Sequence, residues 1–183
     1  MRRNSVVTER ERHSTLVKGA RAGQPDAIAG LYDLYGKMVY GVALRLSNSE
    51  TDAEDVVQDV FIGLGRSLAS FEGRGSLEGW IKRVTSRTAL MRLRRQRARN
   101  EISIEVDFLA SGASAESSPT DRLTLEQALA GLPDELRAVF VLKEIEGYSH
   151  REIGDLMGIQ PGTSKIRLHR ARRELQRSIE GTA

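Results

Sequence analysis

The sequence contains no cysteine. That excludes disulfides and thiolate metal sites and suits a reducing cytosol. Aromatic residues are scarce, at 5% beside a hydrophobic fraction of 39%. Val and Ile do not alternate in runs, which favours helical bundles over a β-sandwich. No apolar run approaches the length of a membrane span. The opening stretch MRRNSVVTERERHS carries charges where a signal peptide needs an apolar core. Three scattered histidines make no metal-ligand spacing, and no nucleophile stands in a pattern with a base. The expectation is a cytoplasmic protein that is not an enzyme and holds neither cofactor nor metal.

What the chain does have is unevenly placed charge. Its net charge is only +3 over 183 residues, yet eight Lys or Arg and no acid lie between Lys82 and Arg99. Six more basic residues lie between Lys165 and Arg177, against Glu174 alone. Between the two blocks, Glu101, Glu105, Asp107 and Glu116 stand without a compensating base, and SGASAESSP has the small, Ser-rich composition of a linker. The division predicts an all-α chain of two small helical domains. These are 20–98 and 121–180, joined by a flexible acidic linker at 99–120 and preceded by an N-terminal extension at 1–19.

In the first domain, Ile28, Leu31, Leu34, Tyr35, Met38, Val39 and Val42 recur at spacings of three and four, the stripe of one or two core-facing helices. A further helix starts at 49–52, where TDAED supplies a cap and acids for the positive helix end. Its Val56, Val57, Val60, Phe61 and Leu64 face inward, while Asp55, Gln58 and Asp59 share another face. Composition alone makes that polar face an ordinary solvated surface. FEGRGS then interrupts the pattern, and Ser76 caps a long helix, LEGWIKRVTSRTALMRLRRQRAR. Its cations have no acids for i,i+4 neutralisation, so they repel one another unless a polyanion is near. Nucleic acid is the natural polyanion. Phe71 and Arg74 in the preceding loop add a stacking group and a cation suited to unpaired bases, while Trp80 reads as a core aromatic.

In the second domain, Pro133 is expected in a helix's first turn and Gly147 at that helix's end. SHREIGDLMGIQPGTSKIRLHRARREL follows. Ser149 and Glu152 make a capping box. Ile153, Leu156 and Met157 face inward, and Gly154 admits a neighbouring helix. Gly158 takes the left-handed turn, Ile159 plugs the gap, and Pro161 opens the next helix. There Leu168, Ala171 and Leu175 form one stripe, and Lys165, Arg167, Arg170, Arg172 and Arg173 cover the rest. This is a helix-turn-helix, whose second helix reads the major groove.

Taken together, LVKGARAGQPDAIAGLYDLYG, DAEDVVQDVFIGL, FEGRGSLEGWIKRV and GYSHREIGDLMGIQPGTSKIRLHRAR occur in an order and spacing that resemble the extracytoplasmic-function sigma factors of the bacterial sigma-70 family. The resemblance covers residues 16–177. It implies that 20–98 corresponds to sigma region 2 and 121–180 to region 4. It further implies that Asp55, Gln58 and Asp59 dock on core RNA polymerase, reversing the solvated-face reading. Phe71, Arg74, Lys82, Arg83 and Arg87 would capture and melt the −10 promoter element. Pro161, Thr163, Lys165, Ile166, Arg167, Arg170 and Arg173 would bind the −35 element. Promoter DNA and core polymerase are thus the implied partners, with an anti-sigma factor wedged between the domains as the implied regulator. Arg87 and Met91 replace the Asn and Asp common in the family, and GTSKIRL replaces GTVKSRL. Ser164 then takes an inward position, and Ile166 faces DNA unless the helix is rotated enough to bury it partly. From the residues alone, two other readings stay open: a helix-turn-helix regulator acting without polymerase, and an RNA-binding protein.

Overall fold

The computed structural model describes the backbone at residues 9–73, 75–104 and 125–180, and side chains at 13–73, 75–99 and 125–180. Arg74 and the stretch 105–124, which holds most of the expected linker, lie outside the described residues. The first half contains α1 (Glu9–Arg21), α2 (Pro25–Ser47), α3 (Glu50–Leu68) and α4 (Leu77–Ile104). The second contains α5 (Leu125–Ala130), α6 (Asp134–Phe140), a π-helical turn (Val141–Ile145), α7 (His150–Met157) and α8 (Pro161–Glu180). No strand occurs among the described residues, and none of the described helices is long and apolar enough to cross a membrane.

Local chemistry sets the helix starts. Ser49 accepts from the Asp52 amide, and Ser76 accepts from the Gly79 amide at 3.0 Å, each quenching an otherwise unpaired donor of the first turn. Ser149 and Glu152 form both halves of a capping box. The hydrogen bonds from the Ser149 backbone and hydroxyl hold Glu152 below the ordinary carboxylate range. Gly158 closes α7 at φ 68°, a left-handed conformation that costs glycine little. Pro133 stands one position earlier than expected, as the cap of α6 rather than inside it.

The apolar stripe over 25–47 forms one unbroken helix. Leu31, Val39, Val42 and Leu46 of α2 meet Val56, Leu64 and Leu68 of α3 and Ile81 of α4 in the core. Leu34 departs from the expected pattern. It is 51% exposed, because the buried arc of α2 passes through Leu31 and Tyr35 and leaves Leu34 on the open side. A Cβ at Gly154 would lie 2.7 Å from the Ile159 carbonyl and 3.7 Å from the Pro161 ring, so the glycine admits the turn as well as the first residue of α8.

The two halves share a single apolar core. Ala138, Val139, Val141, Leu142, Ile153 and Leu168 join the cluster built by α2, α3 and α4. A smaller cluster of Ala128, Leu129, Leu132, Ala171 and Leu175 holds α5 and α6 to α8. Two buried charges pin the junction. Arg137, 3% exposed, donates to the carbonyls of Leu132 at 3.0 Å and Leu46 at 3.4 Å, and to Asp134 at 2.6 Å. It thereby satisfies one of the carbonyls left open at the end of α2. The Glu146 carboxylate, 3% exposed, accepts from Arg45 of α2 at 2.8 Å.

Candidate nucleic-acid interface

The basic helix α4 borders a cleft of about 940 Å³ whose wall includes Trp80, Arg83, Arg87, Met91 and Arg94. Phe71 and Trp80 stand side by side, ring centroids 5.5 Å apart and planes tilted by 48°. Both are half-buried. Trp80 therefore does two things at once: it packs on the core and lines the cleft. Arg21 fixes the loop before α4 by donating to the carbonyls of Leu68, at 3.0 Å, and Phe71. Arg87 projects into solvent.

Several cations of α4 have acidic partners, where the sequence suggested none. Lys82 has an i,i+4 partner in Glu78 at 3.2 Å and lies 4.0 Å from Glu146. Arg83 lies 3.8 Å from Glu152. Arg97 reaches Asp134 and Glu135, both at 3.1 Å. These compensating acids sit in the second half of the chain or on the one turn preceding the basic run, where inspection of that run alone does not find them.

On α8, Pro161, Lys165, Ile166, Arg170 and Arg173 are exposed and Thr163 is half-buried, while Leu168, Ala171 and Leu175 turn inward. Arg167 leaves this outward set. It is drawn to Glu135 of α6 at 2.5 Å. Arg172 reaches Glu144 at 2.8 Å.

A third surface lies on α3. Asp55 and Asp59 both receive Arg92 of α4, the latter at 2.7 Å. Gln58 lines the adjoining groove of about 660 Å³, with Tyr32, Lys37, Tyr40, Phe61 and Ile62. Ile62 is 75% exposed. Neither this groove nor Arg92 was among the expected site residues. Ile62 carried a signal, since it is an aliphatic residue outside the buried stripe of its helix.

Two family models match the chain: Sigma-70 region 2 over residues 31–99, and Sigma-70, region 4 over residues 122–175. The chain is 36% identical over 75% of its length to the ECF RNA polymerase sigma factor SigE of Mycolicibacterium smegmatis, of which it spans 56%. It is 30% identical to the ECF RNA polymerase sigma-E factor of Escherichia coli, covering 95% of this chain and 97% of that one. The chain belongs to the extracytoplasmic-function sigma factors. Among solved structures, the sigma factor RpoE of Bartonella quintana, crystallised with the anti-sigma factor NepR, superposes with a TM-score of 0.59 at 27% identity, covering 83% of this chain and 96% of that one.

Within this sigma factor, the departure at Ser164 acquires a physical reason. Ser164 is fully buried, and a buried hydroxyl needs a partner. His150 at the start of α7 provides it, Nδ1 and Oγ lying 2.9 Å apart. Desolvation, together with Lys143 and Lys165, lowers the His150 pKa, so the ring is neutral at neutral pH. Ile166 is 58% exposed on the outward side of α8.

Proposed function

We propose that this sigma factor directs core RNA polymerase to its promoters through three separate surfaces. Asp55, Gln58 and Asp59 of α3 meet the polymerase. Phe71, Lys82, Arg83 and Arg87, with Arg74 in the same loop, take the −10 strand. Pro161, Thr163, Lys165, Ile166, Arg170 and Arg173 meet the −35 duplex, and Arg167 joins them once released from Glu135. The observation that carries the reading is the pairing of two cationic helices of different character in one chain. One lies beside adjoining aromatic rings, as unpaired bases require. The other follows a tight glycine turn, as a major-groove reader requires. Flipped bases would stack at the Phe71–Trp80 end while the cations of α4 hold phosphates. The bond chemistry of transcription belongs to the polymerase, so the chain itself is no enzyme and works in the cytoplasm. An anti-sigma factor is the proposed regulator, by likeness to the Bartonella quintana relative solved with one.

Reconstitution tests the reading. Mixed with bacterial core polymerase, the chain co-elutes with it and yields transcripts from a discrete set of promoters in a genomic fragment library. Tight sequence-specific duplex binding without polymerase, and no co-elution, would establish the free-standing regulator instead.

Exposed Ile166 supports an apolar contact to a thymine methyl. Ile166→Ser should weaken discrimination at one −35 base pair by about 1 kcal/mol, the lower end of the usual cost of a mismatch. Holoenzyme binding to single-substituted −35 duplexes measures this, and an unaltered preference profile removes the contact.

A further inference from the structure

Side-chain contacts tie α8 to the rest of the second half at different points along its length. Arg167 reaches Glu135 of α6 and Arg172 reaches Glu144 of the π-helical turn, at 2.5 and 2.8 Å. Both arginines lie in the middle of the helix, beside the buried stripe of Leu168, Ala171 and Leu175. The Ser164 hydroxyl, 2.9 Å from Nδ1 of His150, differs in place and in surroundings. Ser164 is fully buried at the end of the first turn of α8, between the half-buried Thr163 and the exposed Lys165 and Ile166. His150 is itself half-buried. The charged groups around its ring are Lys143 and Glu144 of the π-helical turn, with Lys165 and Arg172 of α8. Where the family pattern GTVKSRL has valine, this chain has the serine. An apolar side chain there would need no partner, whereas a buried hydroxyl costs free energy unless one is present.

We infer that His150 is a positioning residue of the −35 interface: through the Ser164 hydroxyl it seats the first turn of α8, so that Lys165 and Ile166 meet the base edges in register. This rests on the reading that α8 takes the −35 duplex. In this role His150 contacts no base and acts through Ser164. The middle of α8 is held by its buried stripe whatever happens at Ser164, so loss of the contact moves the first turn and the outward residues it carries. Base readout is the function most sensitive to such a movement. A contact to a base edge depends on the position of the side chain, whereas a cation satisfies a phosphate over a wider range and carries no sequence information. Loosening the seat therefore erodes discrimination between sequences and leaves general affinity for duplex DNA in place.

Holoenzyme binding to the −35 duplex of a recovered promoter, to its single-mismatch variants and to a random duplex tests the role. The ring is neutral at neutral pH, so His150→Leu alters no charge and strips the hydroxyl of its partner. Discrimination against the mismatched duplexes should fall about fivefold, the factor that a net hydrogen-bond contribution of about 1 kcal/mol represents. Affinity for the random duplex should stay the same, because the cations that meet phosphates are all retained. His150→Asn, whose amide both donates and accepts near the place of Nδ1, should keep discrimination. His150→Leu/Ser164→Val replaces both members by apolar groups and should restore most of what His150→Leu loses, which a direct DNA contact by the ring would not allow. Co-elution with core polymerase, measured on the same proteins, excludes unfolding as the cause of a loss. Undiminished discrimination in His150→Leu overturns the inference alone. Failure of both the asparagine and the double variant to recover it does the same. A fall in random-duplex affinity that Ser164→Val does not reverse replaces positioning by a phosphate contact of His150 itself. A parent holoenzyme with no −35 preference overturns the −35 reading, and this inference with it.

Discussion

Reversing both carboxylates of α3, as Asp55→Arg/Asp59→Arg, is expected to reduce binding to core RNA polymerase by two orders of magnitude or more, on the order of 2–5 kcal/mol for each interfacial charge lost. The test needs care, because the same carboxylates receive Arg92 in the free chain. The reversal turns that attraction into like-charge repulsion, and a loss of binding could then reflect a shifted α4. A third substitution separates the causes. Arg92→Glu in the reversed background restores opposite charges across the α3–α4 contact. Exposed pairs of this kind contribute about 0–1 kcal/mol each, so the triple variant should regain the parent melting temperature within a few degrees. If Asp55 and Asp59 themselves meet the polymerase, binding remains lost in the triple variant. Recovery of binding would show that they act only by positioning α4. Co-elution from size exclusion and a thermal melt on the same three proteins give the answer.

How far the sequence reaches is clearest at particular residues. Ser76, Ser149 and Gly158 were readable because each acts within one turn of its own position, and the structure finds all three at helix ends; the cap of α3 was expected within TDAED and is Ser49, just before it. The stripe Val56, Val57, Val60, Phe61 and Leu64 was readable for a similar reason, since a helix buries what it repeats. Charge partners were not. Arg45 and Glu146 are 101 residues apart, and Asp55 and Arg92 are 37. Periodicity names the face on which a side chain stands and is silent about what stands opposite. The basic run of α4 therefore looked unpaired, and nothing near Arg167 in the sequence showed that Glu135 holds it. Leu34 failed differently. An apolar residue at helical spacing is inside only if a neighbour covers that arc, and among the described residues Leu34 stays 51% exposed. Arg137 gave no signal at all, because a lone arginine in DELRAVF resembles any surface cation until α2 is seen to end beside it.

Arg137→Met should strongly destabilise the second half. Methionine fills the volume and brings no charge, but it leaves the Leu46 and Leu132 carbonyls without the guanidinium that now donates to them. A buried polar group so abandoned costs about 1–3 kcal/mol, which puts the total for the two carbonyls at about 2–6 kcal/mol and the fall in melting temperature at roughly 4–24 °C for a chain of this size. Arg137→Lys should recover little, since a single ammonium cannot span two carbonyls and a carboxylate as the planar fork does. The pH dependence supplies an independent mark. Burial alone would raise the Asp134 pKa, but hydrogen bonds and charge from Arg137 and Arg97 outweigh it and hold the group low. A carboxylate whose folded pKa lies below its unfolded one adds stability above the unfolded value and loses it as pH falls through the folded value. The parent chain should thus keep this contribution at neutral pH and shed it only under acid. In Arg137→Met the lowering weakens, leaving Arg97 alone, so the acid decline in melting temperature should be shallower from a lower starting point. Equal acid slopes in the two proteins would mean that Asp134 owes its low pKa to Arg97, and that Arg137 matters for the carbonyls of Leu46 and Leu132 alone.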